Sequence, residues 1–171
     1  MNAIFMFLLI GLFSGNSVNG GEKAQKVALD NSYKIENISG KAAFQSEKLI
    51  SHLVGNKGKK ALRRIKKIEA QVDKVLTLAK KLQDVSNADR NEKQAGTLGG
   101  IECGTSFILV HAEFARRSLL IVKNAFQTKD LLKAGEAAAA LHNSFSRIRA
   151  LSRSIILELV QGPEPVLGHA V

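Results

Sequence analysis

Between residues 131 and 159 the chain places Leu131, Ala134, Ala138, Leu141, Phe145, Ile148, Ser152, Ile155 and Leu159 at alternating steps of three and four, and only Ser152 departs from an apolar set. That interval returns side chains to one face of a helix and to no face of a strand. An apolar seam of this length must be covered by other helices, so it constrains the fold more than any other stretch. It predicts a helix over residues 129–161, capped at its start by Thr128 or Asp130 and ended by Gly162 and Pro163.

Two further segments carry the same spacing. Ile108, Ala112, Ala115, Leu119, Val122 and Phe126 predict a helix over residues 106–126. Phe107, Phe114, Ile121 and Ala125 widen its stripe, so it is expected in the middle of the assembly, buried around much of its circumference. Ile65, Ile68, Val72, Val75, Ala79 and Leu82, flanked by Leu62 and Val85, predict a helix over residues 59–86, about 40 Å long at 1.5 Å per residue. The first part of the chain is less regular. Ala42, Ala43, Leu49, Ile50, Leu53 and Val54 favour a helix over residues 40–54, ended by a turn at "GNKG", with a weaker helical segment over residues 27–38. Residues 86–106 contain four glycines and the one cysteine without a sustained period, and read as a long Gly-rich loop. Two prolines and no tryptophan in 171 residues agree with helix over sheet. The expected fold is all-α: an antiparallel three- to four-helix bundle with coiled-coil-like heptad seams and that loop.

The organisation expected along the chain is a signal peptide over residues 1–20, a helical bundle domain over 21–161 and a flexible C-terminal tail over 162–171. Residues 3–13, "AIFMFLLIGLF", are an unbroken apolar run too short for a membrane span of about 20 residues. The small and polar "SGNSVNG" that follows fits cleavage after Gly20. No later stretch has 18 consecutive apolar residues, so the expected location is secreted or on the extracellular surface. One cysteine, Cys103, leaves no internal disulfide to form; after export an odd thiol points to a disulfide-linked homodimer. Asn37 opens an Asn-Ile-Ser glycosylation sequon, read as loop-like because Gly40 follows it.

The chain carries a formal charge of +10, and the excess is concentrated. Lys57, Lys59, Lys60, Arg63, Arg64, Lys66 and Lys67 occupy seven of eleven positions with no acid among them. Ile65 and Ile68 point into the seam, which turns these charges outward. Like charges three and four apart repel, so helix stability does not account for them. The plain alternative is a solvated helix face that serves solubility. The functional reading is an anion-binding edge, with Arg147, Arg149 and Arg153 as a second group.

Outside a cell the anion expected is an anionic glycan or an acidic protein surface; a peripheral lipid surface is the alternative. Nucleic acid is disfavoured, because export removes the chain from it and few aromatics are available to stack on bases. No catalytic residue, metal or cofactor is expected. His52, His111, His142 and His169 are scattered without ligand spacing, "GNKGKK" lacks the glycines and hydroxyl of a phosphate loop, and a Cys103–His111 pair lacks a third group.

Overall fold

The computed structural model describes the backbone over residues 3–92, 98 and 101–161, and side chains over residues 21–88, 98 and 101–161. Among the described residues the chain is helical, with α1 at Ala3–Val54, α2 at Gly58–Glu92, α3 at Glu102–Gln127 and α4 at Leu131–Gln161. α1 packs on α2 and α4, and α3 packs on the same two; α1 and α3, like α2 and α4, lie diagonally with no close backbone approach. Three-residue turns join α1 to α2 and α3 to α4, which makes those neighbours antiparallel. The α1–α4 pair is antiparallel too. Gln25 near the start of the bundle donates its side-chain amide to Leu159 O at 2.7 Å, and His142 Nδ1 lies 3.0 Å from Ala43 O. The arrangement is a ring of four helices around one core.

The seam positions expected on α2 are all buried, and those on α4 are buried from Ala134 to Leu159 with Leu131 half-buried at the end. α4 begins at Leu131, where Asp130 Oδ1 accepts the Lys133 N–H at 3.1 Å, so Asp130 is the cap. Lys129 takes a positive φ of 60° and Asn56, in the "GNKG" turn, one of 50°. Gly162, Pro163 and the tail lie outside the described residues.

Three expectations are corrected. First, residues 27–54 are a single helix with no break at Gly40. The inward positions run Ala28, Ser32, Ile35, Ser39, Ala42, Ser46, Leu49 and Leu53, again in steps of three and four. Serine stands at every second one from Ser32 to Ser46, so the stripe does not read as apolar. Ser32 and Ser46 donate to the carbonyls of Ala28 and Ala42 at 2.8 and 2.9 Å, which satisfies each hydroxyl within its own helix. Gly40 lies in close contact with α4, where a Cβ would meet Arg149 Nε at 3.2 Å.

Second, the 86–106 loop is largely helix at both ends. α2 continues to Glu92 and α3 starts at Glu102. Leu98 and Ile101 are buried in the core, and the Ile101 N–H donates to Leu98 O at 3.1 Å, so the connection is anchored immediately before α3. Gly104 is a packing residue of α3: a Cβ would lie 3.1 Å from Ile155 Cγ1 on α4. Third, α3 is not buried around its circumference. Ile108, Ala112, Ala115, Leu119 and Val122 face the core, while Phe107, Val110, Phe114 and Ile121 are exposed. With only two neighbours in a ring, the outer side of α3 packs on no other described helix. No described helix is long and apolar enough to cross a membrane.

Candidate functional site

The basic run occupies the first three turns of α2. Ala61, Ile65 and Ile68 are buried in the core, which fixes the rotation of the helix. Lys57, Lys59, Lys60, Arg63, Lys66 and Lys67 are exposed and Arg64 is half-buried. Among the described residues no ion pair engages any of the seven; the pairs present use Arg116, Lys123, Arg149 and Arg153. The first acid after the run, Glu69, is taken by Lys123 of α3 at 2.6 Å.

Antiparallel packing brings the end of α1 against this run. Lys60, Arg64 and Lys67 share one edge of α2, at steps of four and three. Gln45, Lys48 and His52 share the facing edge of α1, at steps of three and four. The Arg64 guanidinium donates to Gln45 Oε1 across the gap, which holds one cation in place without neutralising it. The two edges form a groove lined by His52, Lys60, Arg63, Arg64, Lys66 and Lys67. Partial burial holds the His52 imidazole below its ordinary pKa, and the charges of Arg64, Lys60, Lys57 and Lys48 push it the same way. The surroundings of this imidazole thus disfavour its charged form. His52 and Lys48 escaped the sequence reading because an isolated histidine carries no motif; their spacing from Gln45 becomes informative only once α1 is known to be unbroken.

Arg147, Arg149 and Arg153 do not form one patch. Arg149 and Arg153 both donate to Glu36 Oε1 of α1, at 3.1 and 2.9 Å. The Arg153 hydrogen bond foremost, and Arg149 beside it, hold the Glu36 carboxyl below its usual range against the opposing effect of burial. These two arginines already have their anion. Arg147 faces the other side of α4, where its charge reaches His111 on α3 and, after burial, helps to lower that imidazole's pKa.

The remaining candidates are dispersed. Asn37 is exposed, but it lies inside α1 and its sequon partner Ser39 is buried, so the loop-like position is corrected. Cys103 is an exposed free thiol in the first turn of α3, inside the helix rather than in the loop before it. His111 is eight residues further along the same helix, about 12 Å away by helical rise, so the two do not form a pair. His142 faces α1, and His169 lies outside the described residues. Among the described residues no three His, Cys, Asp or Glu side chains gather as metal ligands. No protein-family model matches this chain, no curated protein matches it, and no solved structure matches it.

Proposed function

We propose that this is an exported or surface-displayed, non-enzymatic binding protein whose α1–α2 edge recognises an anionic glycan or an acidic protein surface. One observation carries the reading: of seven cations at the start of α2, none paired with a carboxylate among the described residues, five line a single groove. Among the described residues, the ion pairs between helices involve Glu69 with Lys123 and Glu36 with Arg149 and Arg153, and none of them reaches the run. Like-charge repulsion within the run is a cost that packing does not require. No Phe or Tyr among the described residues lines the groove, so the anion it suits need not carry bases to stack. Tyr33 and Phe44 line the α1–α4 side, and Phe107 and Phe114 lie on α3. The apolar run at residues 3–13 supports the extracellular setting.

The test replaces Arg63, Arg64, Lys66 and Lys67 together by Gln, a comparable helix former. Helicity by circular dichroism should stay unchanged, while retention on a heparin-type sulfated column falls sharply. The parent should elute earlier as salt rises, because exposed charges are screened over about 8 Å at physiological ionic strength. Equal retention of parent and variant at matched salt would leave the run as a solvated face.

A lipid surface is the second reading, and a specific observation favours it. The two most exposed large apolar residues, Val54 at 83% and Leu132 at 77%, both sit at the bundle end where the basic run begins. Apolar side chains ringed by lysines suit an anionic bilayer. Sedimentation with phosphatidylserine vesicles, compared between parent and a Val54→Ser, Leu132→Ser variant, separates it from the first.

A further inference from the structure

Resting on the anion-binding reading of the same edge, we propose that the α1–α2 groove holds the sulfate ester of a glycan between His52 on one side and Lys60 and Arg64 on the other, and that binding takes up a proton at His52. The groove is built from both helices. α1 brings the imidazole and α2 brings ammonium- and guanidinium-bearing side chains, so both helices supply side chains that can donate N–H groups to a bound anion. A tetrahedral sulfate ester presents three terminal oxygens in three directions and can meet donors on both walls. A planar carboxylate offers its lone pairs in one plane and matches a single guanidinium better. Arg64 is already oriented by Gln45, so its donors are partly preorganised. Lys59, Arg63 and Lys66 continue the positive surface outward along α2, where further sulfates of a linear polymer would lie.

The proton linkage follows from what surrounds His52. The charges that reach it are Arg64 and Lys60 on α2, Lys57 in the turn and Lys48 on α1, all cations. In the free protein these, together with partial burial, favour the neutral ring. An anion seated in the groove offsets the cations and accepts a hydrogen bond from the ring, which favours imidazolium. By linkage, whatever makes the proton bind more tightly when the anion is present makes the anion bind more tightly when the proton is present. A sulfate ester keeps its charge across the range where imidazole titrates, so any pH dependence belongs to the protein.

The experiment measures binding of a heparin-derived hexasaccharide to the full chain by calorimetry at pH 5.5 and 7.5, in buffers of different ionisation enthalpy so that proton uptake is counted. The affinity of the parent should rise about tenfold from pH 7.5 to 5.5, the scale of one partly exposed imidazolium–anion contact. His52→Gln should bind weakly at both pH values with less than about a twofold difference, and His52→Lys should bind tightly at both. Circular dichroism establishes that both variants are folded. A parent that binds in a salt-dependent way with no pH dependence overturns this proposal and leaves the basic edge as an anion site. Retention of the pH dependence by His52→Gln overturns it equally. Undiminished hexasaccharide binding by the four-fold Gln variant sinks the underlying reading instead. Proton uptake with an acidic peptide of equal charge, but not with the hexasaccharide, overturns the choice of ligand.

Discussion

Ser39 is fully buried on α1 and its hydroxyl has no hydrogen-bond partner, while Ser32 and Ser46, seven residues to either side, return theirs to the helix backbone. An unsatisfied buried hydroxyl costs about 1–3 kcal/mol. Ser39→Ala should therefore raise stability by about 1 kcal/mol in urea unfolding, and Ser46→Ala should give no comparable gain. The same serines explain what the sequence concealed. A hydrophobic stripe is recognised by residue type, yet a serine that hydrogen-bonds its own carbonyl four residues back behaves in the core as a small residue. With Ser32, Ser39 and Ser46 in place of aliphatic side chains, the α1 stripe reads as two weak fragments. Gly40 and Gly104 mislead in the same way. Each looks like a break in a helix, and each stands in close contact with a neighbouring side chain, Arg149 or Ile155, that a Cβ would crowd.

At the scale of elements, α2 and α4 were legible because their inward positions are aliphatic throughout or nearly so. The basic edge was legible for a related reason, since an apolar seam dictates where the intervening charges must point. What needed the fold was the α1 side of the groove and the dispersal of Arg147 from Arg149 and Arg153, because both depend on which helices become neighbours. α3 was misjudged because its exposed residues are as apolar as its buried ones. Cys103, Phe107, Val110, Phe114 and Ile121 lie along its outer side, at intervals of three, four or seven. A free thiol on an apolar, solvent-facing edge predicts a disulfide-linked pair of chains. Non-reducing electrophoresis of protein secreted from its native source should show a dimer band that Cys103→Ser removes; a single monomer band would exclude it.

For the whole molecule, acid should weaken the fold in two steps. His52 and His111 have pKa values lowered in the folded state, so the unfolded chain binds protons more readily, and stability falls as pH drops below about 6.5. Glu36 also has a lowered folded pKa. Its contribution is present above the unfolded value near 4.5 and is lost as pH falls further, when Arg153 and Arg149 lose their shared carboxylate. Urea midpoints recorded from pH 7 to 3 should show both declines, and Glu36→Gln should flatten only the lower one. Both groups are partly exposed and screening reduces each effect, so the declines are expected to be shallow. The export reading makes its own demand at this scale: mass spectrometry of native protein should find a mature N-terminus near Gly21, and an intact Met1 on intracellular protein would remove the extracellular ligands from consideration.

The contact between α1 and α4 gives the chain a timetable. Its hydrogen bonds join residues 99 to 134 positions apart, so the first helix waits for the last. At ribosomal rates of about 5–20 residues per second, that wait is on the order of ten seconds. Until then Ile35, Leu49 and their neighbours on α1 have only α2 to lie against, and a two-helix intermediate cannot shut water out. On the export reading, a late-closing core would keep the chain threadable through a translocation channel. The ring that makes the finished protein compact is the last thing the nascent chain can complete.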